Sequence, residues 1–428
     1  MRVALEYGRH HVELEVPHDA TVVKYGHGTP VEDEAKAVRH ALLNPRGCPP
    51  LIDLVVPGGS VTVVFPDHTR SMPNQTVLPP LLGLLHQAGA RPEDITLLCA
   101  TGTHRAPTSA ELEELLGPRL LSTYPTGVHH DVGDEHVTVG QVDGVDVALD
   151  RRYVDAELRI LTGFVEPHVF AGVSGGPKGV CPGLAARSTI FEAHSRARIA
   201  SPHSTWLETE GNPVHDFIRA ACHLCPPSFS VDVTITRTRQ LTAVFAGDVW
   251  RSHEAAVALL KESAAQEVGQ DFDLVVSTNS GYPLDRNLYQ CIKGLGAAER
   301  LVRTSGTILM AAECMDGLPP EGGFADILRS AAEQSSHPSP GIDDPDRVGP
   351  GMDLPTGGLD HWAVQILTRI TRHASVGMFS AGLSDEDLSL AGLWRVDDLQ
   401  REIDLRLREE PRPRLCVLPE GPLDFVLT

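Results

Sequence analysis

The stretch from residue 163 to residue 183 has the composition of a loop that binds an anion. Six glycines surround its single lysine, Lys178. Glycines allow a ligand to approach the backbone closely, and consecutive backbone N–H groups form a nest for negative charge. The stretch therefore predicts a site for a phosphate-bearing cofactor. It follows neither the P-loop pattern, in which Ser or Thr follows the lysine, nor the dinucleotide pattern G-x-G-x-x-G.

Lys178 has two chemical interpretations and one structural alternative. Its amine is either a point charge for a phosphate group or, in a confined pocket, a nucleophile that bonds covalently to a cofactor. The alternative is a tight glycine-rich turn that carries a solvated lysine. Residue types alone leave all three open.

Four histidines lie in or close to predicted loops and are candidates for proton transfer or metal binding. Imidazole exchanges protons near neutral pH, and its neutral nitrogen binds borderline metals. The chain has 20 histidines, so each of the four, taken singly, has an alternative as an ordinary surface or core residue. The four are His68, His104, His168 and His194.

Three short β-rich runs, at residues 61–65, 95–100 and 158–162, each lead into a polar loop that holds candidate residues. The runs alternate with helical stretches, which is typical of a largely parallel sheet with crossover helices. Ligands bind at the carboxyl ends of strands in such sheets. We therefore expect the three loops to converge on one site.

His104 lies in the loop between the second of these runs and a predicted helix. Thr108 and Glu111 form a capping-box pattern at the start of that helix, and Gly117 predicts its end. This loop is a position in which a catalytic residue is expected.

The length of the chain favours two α/β domains, each with a mainly parallel sheet flanked by helices. We predict an N-terminal cofactor-binding domain at residues 1–268 and a C-terminal substrate-side domain at residues 269–428. Runs at 273–278 and 307–312 begin a second βαβ-like series after that boundary.

Two further segments have distinct patterns. Residues 3–7 and 12–16 alternate in period two and predict a hairpin. Residues 335–358 are rich in Pro, Gly, Asp and Ser without any apolar period, which predicts a long loop or an insertion.

The formal net charge of -21 bears on the choice of partners. It repels nucleic acid backbones and anionic membrane surfaces, so we expect neither as a partner. An anionic substrate meets the same repulsion unless the site gathers cations locally. No apolar run is long enough to cross a bilayer and no basic-then-apolar leader follows Met1, so we expect a cytoplasmic protein.

Eight cysteines without repeated close spacing predict reduced thiols in place of a disulfide framework. Cys222 and Cys225 form one C-x2-C pair with His223 between them. A metal site there is an alternative, but a lone pair of cysteines cannot complete a tetrahedral shell.

Several motifs follow one another in a specific order between Asp67 and Trp362. The run Glu-Pro-His-x-Phe-Ala-Gly-x-Ser-Gly-Gly-x-Lys, which ends at Lys178, is the most specific of them. The other motifs are Asp67-x-x-Arg70, Gly102-Thr-His104-Arg105, His194, Tyr289-Gln-x-x-Lys293 and His361-Trp-x-x-Gln365. Together, and in this order, they resemble the nickel-pincer lactate racemase family.

The resemblance implies a nickel-dependent racemase or epimerase of a 2-hydroxy acid that acts by reversible hydride transfer. It implies a nickel-pincer nucleotide, of the pyridinium-3,5-bisthiocarboxylic acid mononucleotide type, that dedicated maturation proteins make. By this resemblance Lys178 tethers the cofactor covalently, and His194 is the protein ligand to nickel. The remaining cofactor contacts that it implies are Asp67, Arg70, Ser174, Gly175 and Gly176.

The same resemblance implies two proton-transfer groups, because the two enantiomers present their hydroxyl groups to different sides. His104 and His168 fit that pair. Arg70 and Lys293 are the implied cationic partners of the carboxylate and the developing keto oxygen. The other implied substrate contacts are Tyr289, Gln290 and Trp362. Because these residues come from both predicted domains, we expect the active site in the cleft between them.

Each of the C-terminal contacts has a structural alternative. Tyr289, Gln290 and Lys293 share one side of a helix and fit an ordinary amphipathic face. Trp362 fits a core position equally well.

Two departures from the family leave the identity of the 2-hydroxy acid open. Ser71 follows Arg70 where proline is expected, and the segment 335–358 is longer than usual. Three other functions also stay open. A zinc-dependent hydrolase would leave the glycine-rich run unexplained and lacks H-E-x-x-H. The others are a non-catalytic nucleotide- or cofactor-binding protein and an enzyme that eliminates from or dehydrogenates a 2-hydroxy acid.

Overall fold

The computed structural model describes residues 1–23, 28–133, 135–236, 238–263, 268, 271–319, 323–335, 360–409 and 412–423. The long loop predicted at residues 335–358 lies outside the described residues, apart from Ser335 at the end of a helix.

Helices and strands alternate along most of the described chain. The strands are β1 (Arg2–Tyr7), β2 (His10–Glu15), β3 (Thr21–Val22), β4 (Val61–Pro66), β5 (Ile95–Ala100), β6 (Thr126–Val128), β7 (His136–Val142), β8 (Val145–Asp150), β9 (Leu158–Phe164), β10 (Pro167–His168), β11 (Gly172–Val173), β12 (Phe229–Ile235), β13 (Leu241–Gly247), β14 (Phe272–Thr278), β15 (Val302–Ala311), β16 (Ser375–Phe379), β17 (Trp394–Arg395) and β18 (Leu415–Leu418). The helices are α1 (Glu34–Leu43), α2 (Leu51–Leu54), α3 (Asn74–Gln87), α4 (Ser109–Thr123), α5 (Arg151–Val154), α6 (Arg187–Ala193), α7 (Arg196–Ala200), α8 (Pro213–Leu224), α9 (Val249–Ser263), α10 (Leu288–Glu299), α11 (Phe324–Ser335), α12 (His361–His373), α13 (Asp385–Leu390) and α14 (Leu399–Glu409).

The chain divides into two compact units, and the division differs from the predicted boundary after residue 268. The central unit is His27–Ser263, and the terminal unit combines Met1–Gly26 with Ala264–Thr428. The predicted hairpin is present as β1 and β2, and its Leu5 is buried in one apolar cluster with Val276 of β14. The next strand, β3, pairs with β18. The first residues therefore belong with the C-terminal part of the chain, which covers their apolar face.

Within the described residues, the main sheet of the central unit has six strands in the order β13-β12-β9-β4-β5-β6. Neighbouring strands are parallel except β12 and β13. The three predicted runs are confirmed as β4, β5 and β9. In β4, Val63 belongs to the apolar cluster on one face of the sheet and Val64 to the cluster on the other. Burial on both faces explains why this strand is a continuous apolar run in the sequence.

The main sheet of the terminal unit is parallel throughout its described strands, in the order β17-β16-β15-β14-β18-β3. The predicted runs at 273–278 and 307–312 are confirmed as β14 and β15, although β15 begins earlier, at Val302. Among the described residues, no helix is both long and apolar enough to cross a membrane.

The helix that follows the His104 loop begins as predicted and continues further than predicted. Thr108 accepts a hydrogen bond from the backbone of Glu111, and the Glu111 side chain accepts one from the backbone of Thr108. Gly117, with φ of 75°, interrupts the helix at the predicted position. Helical residues resume directly after it because Pro118 suits the first turn of a helix.

We expect Leu5→Ala to destabilise the terminal unit selectively. Leu5 is fully buried, and removal of a buried leucine side chain costs about 2–5 kcal/mol. Hydrogen exchange should accelerate in β14 and β15, and β4 and β9 should keep their wild-type rates. Leu81→Ala is the matched control, because Leu81 is equally buried in the central unit. Acceleration in β4 by Leu5→Ala would contradict the division into units.

Candidate active site

Three neighbouring parallel strands deliver the predicted site loops of the central unit to one edge of the sheet. β4 lies between β5 and β9, and the loop after it contacts the loops after both neighbours. Asp67 bonds to His104 beyond β5, and Arg70 bonds to Glu166 beyond β9. The backbone N–H of Gly102 also donates to the carbonyl of Gly183 at 3.0 Å. The expected convergence of the three loops is therefore observed.

The buried carboxylate of Asp67 orients the ring of His104. Its Oδ2 lies 2.7 Å from Nδ1 of His104, and its Oδ1 accepts hydrogen bonds from the backbone and hydroxyl of Thr69 at 3.0 and 2.6 Å. Burial alone would raise the pKa of Asp67, but His104 and Thr69 together hold it well below its usual range. An ionised carboxylate only accepts hydrogen bonds, so His104 carries its proton on Nδ1 and a lone pair on Nε2. The ring is part-exposed, and therefore accessible to a small ligand.

The guanidinium group of Arg70 is held by Glu166. Nη1 of Arg70 lies 2.7 Å from Oε1 of Glu166, and both side chains are about one-sixth exposed, at 16% and 15%. A guanidinium group has five N–H donors, so one contact with Glu166 leaves capacity for a substrate carboxylate. Arg70 is thus a local cation of the kind that an acidic chain needs in order to bind an anionic substrate. The carboxylate of Glu166, in the glycine-rich run, sets its orientation.

His168 in the glycine-rich run and His194 at the C-cap of α6 differ in which ring nitrogen carries the proton. His168 is buried, and its Nδ1 accepts a hydrogen bond from the backbone of Ala171 at 3.3 Å. His194 is also buried, and its Nδ1 lies 2.8 Å from the carbonyl oxygen of Ile190. A carbonyl oxygen only accepts, so Nδ1 of His194 donates and Nε2 carries the lone pair. The ring of Phe170 meets both imidazoles edge-on, at centroid distances of 4.6 and 5.1 Å.

The glycine-rich run is folded more tightly on the protein than the sequence predicts. Lys178 lies in a short 3-10 turn, Gly176–Gly179. The hydroxyl group of Ser174 donates to the carbonyl of Phe164 at 2.7 Å, and its oxygen accepts from the backbone of Glu166 at 3.0 Å. The N–H of Gly176, predicted as part of an anion nest, donates to Asp232 at 2.9 Å. Several hydrogen-bonding groups of the loop therefore bond to other groups of the protein, and these bonds hold the loop in shape.

The predicted residues of the terminal unit form a group of their own on α10 and α12. Tyr289, Gln290 and Lys293 are half-buried, whereas the other residues from Leu288 to Leu295 are buried. Nζ of Lys293 donates to Oε1 of Gln290 at 2.8 Å, and Nε1 of Trp362 donates to the hydroxyl of Tyr289 at 3.2 Å. The three α10 residues therefore share a polar face, which a tryptophan from α12 joins.

The alternative metal site at the C-x2-C pair is disfavoured by its surroundings. Burial raises the pKa of Cys222 and of Cys225, which opposes the thiolate form that a metal requires. The ring of His223 stacks on Trp250 with centroids 4.0 Å apart. More widely, the described part of the chain contains no group of three or more His, Cys, Asp or Glu side chains that could hold a metal ion.

His68, the fourth candidate histidine, lies beside Asp67, and burial lowers its pKa.

Two residues at this end of the sheet have no counterpart in the sequence predictions. Asp232 in β12 and His253 in α9 both bond to the backbone of the glycine-rich run. The one available signal is an aspartate inside the apolar run at 229–235, since an isolated charge is expensive to bury in a strand.

Comparisons with known proteins identify the family of this chain. The lactate racemase N-terminal domain matches residues 7–206, and the lactate racemase C-terminal domain matches residues 268–421. Over 398 residues, the chain is 33% identical to a lactate racemase of Lactiplantibacillus plantarum, and the match covers 91% of this chain and 90% of the relative. The chain belongs to the lactate racemase family. The predicted family is confirmed, and membership makes the chain an isomerase of the racemase type.

Other members and structures extend the comparison. A lactate racemase of Thermoanaerobacterium thermosaccharolyticum is 32% identical over 339 residues, covering 79% of this chain and 77% of the relative. The structure of the lactate racemase apoprotein from that organism has a TM-score of 0.87 at 27% identity, and the match covers 100% of both chains. A protein of Thermotoga maritima shares the fold, with a TM-score of 0.68 at 17% identity over 92% of this chain and 98% of that one.

The depressed pKa of Asp67 predicts how its contribution to stability depends on pH. A carboxyl group whose pKa is lower in the folded state stabilises the fold above its unfolded pKa of about 3.9 and loses that contribution as pH falls towards the folded value. Asp67→Asn should therefore lower the melting temperature by a constant amount at neutral pH, and the difference should shrink below about pH 4. Asp155→Asn, at an exposed position, is the control. A difference that grows on acidification would be inconsistent with a hydrogen bond from His104 to an ionised Asp67.

Proposed function

We propose that this member of the lactate racemase family is a nickel-dependent racemase or epimerase of a 2-hydroxy acid. We further propose that it uses a nickel-pincer nucleotide attached covalently through Lys178. The observation that carries the proposal is the convergence of a His–Asp pair, an arginine and the lysine-bearing loop at one edge of the central sheet. Lactate is the first substrate to test, because both named relatives are lactate racemases.

The residues present fit the nucleotide and its metal. His194 holds Nδ1 as a donor to Ile190, which leaves the Nε2 lone pair that metal coordination requires. Since the described residues offer no cluster of three protein ligands, a metal bound by His194 would draw its other donors from the cofactor. Lys178 would hold the nucleotide covalently. When bound, the nucleotide supplies a group that accepts the substrate α-hydrogen as hydride and returns it.

His104 suits the role of the base that takes the hydroxyl proton of one enantiomer. Its Nε2 carries the lone pair, and Asp67 stabilises the imidazolium that forms when the proton arrives. Because the carboxylate of Asp67 is buried and also held by Thr69, the ring is kept in one orientation.

His168 suits the opposite side of the substrate. In its neutral form Nδ1 accepts from Ala171, so Nε2 presents an N–H to a substrate oxygen. In the imidazolium form both nitrogens carry protons, and the Ala171 contact must be given up. As the imidazolium, His168 would deliver its Nε2 proton to the keto oxygen that becomes the hydroxyl group of the second enantiomer, which leaves a neutral ring protonated on Nδ1. In the reverse direction Nε2 would take that proton back, as His104 does for the first enantiomer.

The substrate carboxylate requires cations in an acidic chain. Arg70, oriented by Glu166, would bind it through the remaining guanidinium donors. In the proposal Lys293, steadied by Gln290, binds the keto oxygen as charge develops there. Tyr289 and Trp362 would close the apolar side of the substrate and exclude water.

The proposed function is tested with protein produced together with the maturation proteins of the family. Holo-protein mixed with single enantiomers of a panel of 2-hydroxy acids, lactate first, should lose optical rotation without loss of total acid. Protein made without the maturation proteins is the negative control. Nickel-loaded protein that racemises none of the acids would refute catalysis and leave a cofactor-binding protein. Stoichiometric zinc without nickel would favour a hydrolase.

We expect His104→Ala and His168→Ala each to abolish exchange at the α-carbon, because each enantiomer needs one of the two groups. Loss of a general base or acid costs about 10²–10⁴-fold in rate. Racemisation followed by chiral chromatography measures the loss, and nickel content verifies loading. His203→Ala is the control, since His203 is exposed and pairs with Glu208. Wild-type turnover in either site variant would remove that histidine from the mechanism.

A further inference from the structure

Asp232 is a buried carboxyl group beneath the glycine-rich run. It lies within β12, where its backbone pairs with Gly163 of β9, and it is 1% exposed. Oδ1 accepts from the N–H of Gly176, whereas Oδ2 has no hydrogen-bond partner among the described residues. Burial raises the pKa of Asp232, against the opposing effect of His253. A buried carboxyl group with an unpartnered oxygen costs stability, so stability alone does not explain an aspartate here.

The glycines of the run make room for this carboxyl group and for a histidine beside it. A Cβ atom on Gly163 would lie 2.5 Å from Oδ1 of Asp232, and one on Gly175 would lie 2.8 Å from the same oxygen. A Cβ atom on Gly176 would lie 2.5 Å from Cγ of His253. Real Cβ atoms do not approach so closely. The glycines therefore allow close contact with the protein's own side chains, where the sequence suggests contact with a ligand.

Three more buried side chains hold the backbone between residues 170 and 174. Each donates a side-chain N–H to a backbone carbonyl, which fixes the proton positions on the two histidines involved. Burial lowers the pKa of His215 to about 4, so that ring is neutral. The three pairs are Asn212 Nδ2 with Phe170 O at 2.8 Å, His215 Nδ1 with Ala171 O at 3.2 Å, and His253 Nε2 with Ser174 O at 2.9 Å.

We propose that Asp232, His253, His215 and Asn212 form a backbone frame that positions the segment 170–176. This segment joins His168 to Lys178, so the frame sets where both side chains stand. The four residues come from β12, α8 and its N-cap, and α9, all outside the run itself. They are positioning residues, because they act on the reaction only through the backbone of the loop. The part that concerns Lys178 as a tether rests on the proposed function.

The frame is rigid for a physical reason. Hydrogen bonds are strong in a dry interior, and a backbone group left without its partner there is costly. Four backbone groups within seven residues depend on these side chains. Gly176 also has φ of 46°, a conformation that the surrounding contacts must maintain. Precise sites require such support from the residues behind them.

The first test uses hydrogen exchange on the apoprotein and is independent of the cofactor. Asp232→Ala should accelerate exchange of peptides covering residues 168–180 by about tenfold or more. Asp232→Asn retains an oxygen that can accept from Gly176 and should restore slow exchange. Ser230→Ala is the matched control, because Ser230 lies on the same strand and bonds to Gly247, away from the run. Wild-type exchange of this segment in Asp232→Ala would overturn the frame.

A second pair of variants covers the case in which Asp232→Ala fails to fold. His253→Leu removes the donor to Ser174 and should accelerate exchange of the same peptides. His253→Gln keeps an N–H donor on a side chain of similar reach and should slow it again. Equal exchange in the two His253 variants would contradict the role of His253 as a donor.

The third test measures covalent cofactor by intact mass in protein made with the maturation proteins. Asp232→Ala and His253→Leu should carry at least several-fold less adduct than wild type, and Asp232→Asn and Ser230→Ala should carry wild-type amounts. Lys178→Ala is the control without a tether. Equal adduct in every variant except Lys178→Ala would overturn the positioning of Lys178 by the frame. Wild-type protein without any adduct would refute the tether itself, and hydrogen exchange would then decide on the frame alone.

Discussion

The parallel alignment of β5, β4 and β9 is the constraint on which the site of the central unit depends. Parallel neighbours end at the same edge of a sheet, so residues far apart in the chain meet there. Asp67 reaches His104 on one side, and Arg70 reaches Glu166 on the other. A change in the order of these strands would separate the Asp67–His104 pair from the loop that carries Lys178.

Buried hydrogen-bond acceptors and donors determine which ring nitrogen of each histidine carries the proton. Asp67 and the carbonyl of Ile190 hold the protons of His104 and His194 on Nδ1. The N–H of Ala171 does the reverse for His168. Three imidazoles of the same intrinsic chemistry thus present two different tautomers, and the proposed function assigns them the roles of base, metal ligand and proton donor. Neighbouring backbone and carboxylate groups set these tautomers through hydrogen bonds. The backbone frame around them therefore matters as much as the histidines.

Much of the fold and part of the site follow from the sequence, because they depend on local patterns. The runs of β4, β5 and β9 are rich in apolar residues, and each contributes residues to the apolar clusters on both faces of the sheet. The capping box at Thr108 is likewise local. The assignment of the β1–β2 hairpin to the terminal unit is not local, since it depends on an apolar cluster with strands about 270 residues later. No short pattern carries that information.

The sequence also does not reveal which groups the glycines of the run make room for. Glycine indicates close approach, but the sequence does not say to what. Asp232 and His253 lie 56 and 79 residues from the backbone groups they hold, and in the sequence each is one polar residue in an ordinary strand or helix. Long-range contacts between single polar groups have no periodicity, so only the folded chain identifies them. The net charge of -21 similarly predicted a need for local cations, but not that Glu166 would orient Arg70.

Buried contacts preset which ring nitrogen of each site histidine carries the proton, and this can be measured directly. Nitrogen-15 NMR of histidine-labelled apoprotein, recorded at about pH 8.5 where free imidazole is neutral, distinguishes the two ring tautomers. Single His→Gln variants assign the signals. The buried contacts predict the Nδ1–H tautomer for His104 and His194 and the Nε2–H tautomer for His168. An Nε2–H tautomer at His194, or the same tautomer at His104 and His168, would contradict it.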